Sequence, residues 1–269
     1  MSLFDQHTIQ QLSPRGKQGG RLMQAKQLNL GNKGSKFTAI VSVLMCLLLL
    51  GVIPAIAKEK EPTPQEQTVK EAEKLILSFD ADPELDWFRT NVKNAYGLLI
   101  IPEYYAAGLV ISVGGGNGVL TIQDRNTQEW SQPAFYSAGA LGAGATAGIQ
   151  TSEIVVMIMS EKALEAFHKT KFDLGAAGNV TIGKVGGGVA EDAKAELVVY
   201  SRSKGLYVSL NLASVTIAVH DDYNKAYYGK DVAPKAILSN EVTNSYSADL
   251  QWAVKQVGKK IRRCTFCAP

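Results

Sequence analysis

The chain has 269 residues, of which 46% are hydrophobic and 20% are charged, and its formal net charge is +3 at pH 7. Residues 1–57 hold six of the 28 Lys and Arg residues but only one of the 25 Asp and Glu residues, so the rest of the chain carries a net charge of −2. Because the basic charge belongs to the start of the chain, it gives no reason to expect nucleic-acid binding. The roughly 210 remaining residues suffice for one substantial hydrophobic core, and no mid-chain linker divides them.

The first segment, residues 1–57, has the pattern of an export leader. Residues 37–57 form an uncharged apolar run, and their most hydrophobic part, residues 39–52, fits a signal-peptide core of about 7–15 residues. Three lysines precede this run: Lys26, Lys33 and Lys36. Pro54 supplies a helix break before a small-x-small pattern that ends at Ala57. The sequence predicts cleavage after Ala57 and an exported protein that is periplasmic or membrane-associated.

Other interpretations of the leader stay open. The whole apolar run just reaches the ~20 residues that span a bilayer, so it would also serve as an uncleaved anchor. The part before Lys26 is unusually long for a leader, which allows translation to begin at Met23 instead of Met1. A lipoprotein is not expected, because Cys46 is followed by further leucines of the apolar core and does not end it.

The other two cysteines, Cys264 and Cys267, form a Cys-x-x-Cys pattern in a basic tail, residues 259–269. In an exported protein they would form a small disulfide or remain as non-catalytic thiols. A redox site would need a helix N-terminus to lower the thiol pKa, and these cysteines follow the last predicted helix. Half a zinc site is the remaining alternative, although the sequence has no second ligand pair.

Helices are predicted before the strands. Residues 58–67 are charged and contain proline, which is typical of a flexible tether. The domain, residues 68–258, then begins with a helix over 68–79, whose apolar residues recur at spacings of three and four. Asp82 and Pro83 predict the start of a second helix that runs to about Asn94.

The middle of the chain is rich in strand patterns, and a closing amphipathic helix is predicted over residues 238–257. Strands are predicted at residues 96–101, 108–113, 118–123, 138–150, 153–159, 179–182, 195–200 and 206–218. So many glycines in strands indicate close backbone approach, bulges or sharp curvature. The predicted fold is therefore α+β, with a mainly antiparallel, strongly curved, barrel-like sheet flanked by N- and C-terminal helices.

Motifs for catalysis are weak. The glycine run at residues 114–118 lacks the Gly-Lys-Ser/Thr ending of a phosphate loop, and its Asn-Gly pair predicts a hairpin turn. The glycines of residues 142–148 fit packing better than a dinucleotide fingerprint. His168 has no nucleophile motif, and neither has His220 beside Asp221 and Asp222. The sequence predicts a protein that is not an enzyme and has no cofactor or metal. An enzyme acting on lipids or phosphoesters would need the side chains of His220, Asp221 and Asp222 to converge in a cleft.

Four blocks of the sequence resemble the SYLF family, whose members include lipid-binding and actin-associated eukaryotic proteins and exported bacterial proteins. The blocks are residues 97–102, residues 114–120, the run Trp130-Ser131-x-Pro133-Ala134-Phe135-Tyr136, and residues 200–207. They occur in family order, and the similarity covers roughly residues 68–229. The resemblance implies lipid binding through an amphipathic N-terminal helix. It also favours phosphate binding by the basic turn at residues 201–204, where two hydroxyls accompany two cations.

The sequence therefore predicts a non-enzymatic protein of the cell envelope that binds a phospholipid or membrane surface. The turn would contact anionic headgroups, while apolar side chains of the first two helices enter the interface. The candidate lipid-binding residues are Lys70, Lys74, Ile76, Phe79, Trp87, Phe88, Arg202 and Lys204. The alternative is an envelope structural or protein-interaction module that does not depend on lipid and binds an envelope protein.

Overall fold

The computed structural model describes residues 61–108, 111–143, 148–183, 185–186, 195–207 and 214–259. The predicted leader and the Cys264–Cys267 pair lie outside the described residues. The α-helices are α1 (Pro64–Ala81), α2 (Asp86–Asn91), α3 (Glu161–Ala166), α4 (Leu174–Ala177), α5 (Asp221–Tyr228), α6 (Pro234–Leu238) and α7 (Ala248–Gln256). Short 3-10 helices occupy Pro83–Leu85, Val92–Asn94 and Ser245–Ser247.

The strands are β1 (Gly97–Gly108), β2 (Ile111–Ile122), β3 (Ala134–Ala143), β4 (Gly148–Ile158), β5 (Lys171–Asp173), β6 (Val180–Ile182), β7 (Leu197–Ser203), β8 (Leu206–Tyr207) and β9 (Thr216–Val219). They form one sheet in the order β5-β9-β3-β2-β1-β4-β7-β6, with β8 paired to β7. Within the described residues only β6 and β7 pair in parallel. The sheet is strongly curled into a half-barrel, so the predicted α+β class is confirmed.

Helix α1 begins at a capping box. The side chain of Thr63 accepts a hydrogen bond from the Glu66 amide, and Glu66 accepts one from the Thr63 amide at 2.7 Å. Pro64 at the first position fits this start. The helix therefore begins four residues before the predicted position, inside the segment expected to be a tether. The predicted second helix is shorter than expected, because 3-10 turns replace both of its ends.

The predicted hairpin turn at residues 114–118 is wrong, because these residues lie in the middle of β2. Residues 114–117 pair with Glu103 to Ala106 of β1, and residues 114–118 pair with Tyr136 to Ala140 of β3. The glycines serve close packing: a Cβ at residue 114 would meet the Tyr104 ring, and one at residue 118 would meet the Ile100 carbonyl. The strand expected at residues 96–101 continues to Gly108 as β1, with a bulge near Pro102, and the strand expected at residues 108–113 is divided between the end of β1 and the start of β2.

The sheet is covered on both faces. On one face, α1, α2 and α7 pack on alternate residues of the central strands, including Leu98, Ile100 and Val155. On the other face, α3, α4 and α6 pack on Leu99 and its neighbours. The predicted closing helix is interrupted, because Asn240 has a φ of 59° and Asn244 caps the 3-10 helix before α7.

The close approach of β1 and β2 gives a stability prediction. Gly118→Ala should destabilise the protein, because the new Cβ would lie 2.7 Å from Ile101 Cγ1 and would collide with the Ile100 carbonyl. Overpacking of this kind costs about 1–3 kcal/mol. Gly139→Ala is the matched control, since its nearest contact would be the Gly114 carbonyl oxygen at 4.0 Å.

Urea denaturation of both variants in the full chain measures the effect. Gly139→Ala should change the free energy of unfolding by less than about 0.5 kcal/mol. A Gly118→Ala variant as stable as the unchanged protein would contradict the described register.

Candidate functional site

Arg202 connects the sheet to helix α1. It lies on β7 directly opposite Glu153 of β4, and its Nε donates a 2.7 Å hydrogen bond to Glu153 Oε2. Its Nη2 donates a 2.7 Å hydrogen bond to Ser78 Oγ on α1. The guanidinium also lies over the Phe79 ring, 4.9 Å from the centroid, in cation–π geometry. One side chain thus binds two strands and the helix together.

Asp82, just after α1, is a second anion in this cluster. Its Oδ2 lies 3.9 Å from Arg202 Nη1 and accepts a 2.7 Å hydrogen bond from the Tyr207 hydroxyl. Burial by itself raises the pKa of Asp82, but hydrogen bonds from Tyr207 and the Glu84 amide, together with the charge of Arg202, lower it overall. For Tyr207, burial and then the bond to Asp82 raise the pKa, so the hydroxyl stays a donor.

Three aromatic rings hold the end of α1 in the core. Phe79, Phe88 and Tyr200 contact one another edge to face, with ring centroids 5.6 to 6.3 Å apart. All three side chains are buried. Ring contact, ion pair and hydrogen bonds therefore all act on the same last turn of the helix.

The candidate lipid-binding residues fall into different environments. Ile76, Phe79 and Phe88 are fully buried, and Trp87 is half-buried. In this docked position of α1, its apolar stripe faces the sheet and not solvent. Two lysines of the helix, Lys70 and Lys74, are exposed. A role of any of these residues in lipid binding stays a prediction.

Arg202 and Lys204 have different roles in this structure. The Arg202 side chain is only 14% exposed and its charge is paired with two carboxylates. Lys204 is exposed, and none of the ion pairs among the described residues involves it. It sits in a tight turn with Gly205, where both residues have positive φ, at 48° and 77°. The structure therefore does not bring the two predicted cations together as one phosphate site.

Two adjoining pockets of about 350 and 360 Å³ follow the edge of α1. They share Glu71, Pro102 and Glu103, and the second also contains Lys74, Glu153 and Arg202. Carboxylates outnumber cations in this groove. It therefore does not favour an anionic ligand.

A row of exposed apolar residues crosses the far end of the sheet. Ala107 of β1 lies opposite both Ile149 of β4 and Val113 of β2, and Val113 lies opposite Leu141 of β3. The side chain of Ile149 is 82% exposed, that of Val113 59% and that of Leu141 75%. Sequence reasoning missed this row because it placed a turn inside β2. The signal in the sequence is the lack of Asp, Glu, Lys, Arg and His from Tyr104 to Gln123.

The side chains that an enzyme acting on lipids or phosphoesters would need do not converge in a cleft. His220 stacks on Tyr223, with ring centroids 4.0 Å apart, while Asp221 and Asp222 are exposed on α5. Among the described residues, no group of three or more His, Cys, Asp and Glu side chains is placed to hold a metal ion. None of the helices in the described part of the chain is long and apolar enough to cross a membrane.

The fold and these features define an α+β half-barrel domain whose charged and aromatic side chains mainly hold helix to sheet. A family model described as "Ysc84: Las17-binding protein actin regulator" matches residues 139–257. The predicted resemblance to the SYLF family is confirmed.

The chain is also similar to several eukaryotic proteins. It is 28% identical over 203 residues to an SH3 domain-containing protein of Schizosaccharomyces pombe, covering 70% of this chain and 46% of that protein. It is 29% identical over 165 residues to Protein YSC84 of Saccharomyces cerevisiae, covering 59% and 35%. It is 27% identical over 163 residues to the human SH3 domain-containing YSC84-like protein 1, covering 59% and 47%. The chain thus spans less than half the length of these relatives.

The contrast between the two cations gives a second stability prediction. Arg202→Met keeps an unbranched apolar stem over Phe79 but leaves Glu153 and Asp82 without their cation. We expect a loss of roughly 1–3 kcal/mol in the free energy of unfolding, since unpaired, partly buried carboxylates are destabilising.

Lys204→Met in the full chain is the matched control and should change stability by less than about 0.5 kcal/mol. Chemical denaturation of both variants decides the point. Equal stabilities would show that Arg202 does not hold α1 to the sheet.

Proposed function

We propose that this SYLF-like domain is a non-enzymatic binding module that attaches to lipid surfaces with anionic headgroups. The observation that carries the proposal is the turn between β7 and β8. Lys204 is exposed there beside Leu206, whose side chain is 72% exposed. A cation next to an exposed apolar side chain matches a membrane interface, where phosphate lies above the acyl chains.

The turn is well suited to this role because it is rigid. Type I′ geometry and the pairing of Ser203 with Leu206 fix the direction of Lys204. Arg202, two residues before Lys204, holds β7 to β4 and to α1. In this proposal Arg202 positions the turn, and Lys204 contacts the headgroup. Lys70 and Lys74 add positive charge elsewhere, at about 1 kcal/mol for each cation near an anionic surface.

Binding without chemistry agrees with what the described residues offer. The strongly raised tyrosine pKa values arise mainly from burial in the core, as for Tyr136 and Tyr200. The matching family is described as a binding protein and regulator. This description supports a binding role for the chain and does not name lipid.

The proposed location is outside the cytoplasm, in the periplasm or on a membrane of the cell envelope. The support is the apolar run at residues 37–57, with lysines before it and small residues at its end. A leader of this kind would bring the domain close to a lipid surface.

The second candidate is a protein-interaction module that does not need lipid. It is favoured by the description of the matching family, a Las17-binding actin regulator, and by the names of relatives that contain SH3 domains. An exported chain would need an envelope protein as its partner, in place of actin. Lipid dependence separates the two candidates.

The proposal predicts a specific effect of Lys204→Ala. In sedimentation with vesicles of phosphatidylcholine and phosphatidylglycerol, the full-chain variant should bind about fivefold more weakly, since one cation contributes about 1 kcal/mol. Lys169→Ala, which removes another exposed lysine, is the control and should bind as the unchanged chain does.

Two outcomes would contradict the proposal. If the unchanged chain does not prefer anionic to purely zwitterionic vesicles, the protein-interaction module takes its place. If Lys204→Ala and Lys169→Ala bind equally, the turn does not contact the headgroup.

A further inference from the structure

We propose that the far end of the β1–β4 sheet is the element that enters the lipid interface. This sheet tip comprises residues 105–108, 111–115, 139–143 and 148–151. The inference rests on the proposed function and names the surface by which the domain would meet lipid. It differs from the sequence-based expectation, in which the apolar face of α1 makes this contact.

The sheet tip exposes apolar side chains in an ordered array. Ile149, Val113 and Leu141 form one cross-strand row through Ala107. Tyr105 stands in the next row and is 49% exposed. Four strands thus present large apolar side chains to solvent side by side. Contiguous exposed apolar surface of this kind marks an interaction site.

The row continues the sheet face that α1 covers. Tyr104 turns to the opposite face, where it is buried, so Tyr105 points to the α1 side. Tyr105 lines the groove together with Pro64 and Gln67 from the start of α1. Val113 and Ala107 lie one row further out than Tyr105 and its partner Gly115. The apolar face therefore extends past the first turn of the helix.

The chemistry of the sheet tip favours lipid over a soluble protein. From Tyr104 to Gln123, and again from Trp130 to Ser152, the sequence has no Asp, Glu, Lys, Arg or His. Because these two segments supply the four adjacent strands of the sheet tip, the tip meets no desolvation penalty for ions when it enters an apolar medium. In the rest of the chain charged residues are frequent, since they make up 20% of the whole.

The backbone of the sheet tip also suits a medium of low polarity. β1 pairs with β2 as far as Gly108 and Ser112, and with β4 as far as Ala107 and Ile149. The central strands therefore hydrogen-bond to each other, as a lipid environment requires.

The outer strands set the depth. The described pairing of β3 with β9 ends at Gly139, and that of β4 with β7 ends at Glu153. Among the described residues these edges have no strand partner beyond those points, so the proposal places the sheet tip no deeper than the boundary of headgroups and acyl chains, about 5–10 Å.

The cationic turn lies beside the sheet tip. Ser203 Oγ donates a 2.8 Å hydrogen bond to the Thr151 carbonyl oxygen, which fixes the turn against β4. Thr151 is two residues from Ile149, so the two side chains are on the same face of β4. Lys204 therefore lies near the β4 edge of the sheet tip, whereas Leu206, which pairs with Ser203, points to the face opposite the apolar row. This arrangement would place the lysine at phosphate level when the row meets the acyl chains.

Vesicle flotation of matched full-chain variants tests the role of the row. The triple variant Val113→Thr, Leu141→Thr and Ile149→Thr places β-branched residues, which suit strands, at all three positions and should bind anionic vesicles at least about tenfold more weakly. Ile182→Thr is the control, because Ile182 is 56% exposed on β6, outside the sheet tip. It should bind as the unchanged chain does. Equal binding by the triple variant would overturn the inference, and thermal unfolding checks that each variant is folded.

A direct readout places an environment-sensitive NBD label at residue 113. Val113→Cys is made with Cys46, Cys264 and Cys267 all replaced by Ser, and Glu165→Cys on α3 in the same background is the control. Anionic vesicles should brighten the label at residue 113 and leave residue 165 unchanged.

If the chain binds vesicles but residue 113 stays dim, the inference fails while the proposed function stands. If the unchanged chain binds no vesicles, both fail. If sedimentation velocity without lipid shows self-association that the triple variant abolishes, the sheet tip is a contact between copies, and the inference is overturned.

Discussion

The docking of α1 on the sheet decides which parts of this domain are available for binding. Phe79 inserts between Phe88 and Tyr200, and Arg202 bonds Glu153, Ser78 and the Phe79 ring at the same point. These contacts bury the apolar stripe of the helix, and they pair the charge of Arg202 with the carboxylates of Glu153 and Asp82. Breaking them would expose aromatic surface and leave two carboxylates without a partner, so we regard the docked helix as the ground state of the fold.

What remains exposed follows from this arrangement. With Arg202 paired internally, Lys204 is the cation of the β7–β8 turn that faces solvent, and Leu206 lies beside it. The sheet continues beyond the helix, and its outer row carries Val113, Leu141 and Ile149. The function proposed for this SYLF-like domain thus uses the sheet and its turn. It does not require the first helix to unfold or leave the core.

Several elements could be predicted from the sequence because their signals are local. The spacing of Val69, Ala72, Ile76 and Phe79 predicted the buried face of α1, and all four are buried. Two features could not be predicted, because they depend on residues distant in the sequence. Arg202 resembles an ordinary solvated turn residue until β4 brings Glu153 opposite it. Residues 114–118 have the composition of a turn, and only the approach of Tyr104 and the Ile100 carbonyl explains glycines inside a strand.

Hydrogen–deuterium exchange of the full chain, with and without anionic vesicles, tests most directly whether α1 stays docked while the domain meets lipid. The account predicts that the amides of Pro64–Ala81 keep their protection when vesicles are added, while amides at the end of β1 and the start of β2 become slower. Faster exchange throughout the helix on vesicle binding would show that it leaves the sheet, and would contradict the account.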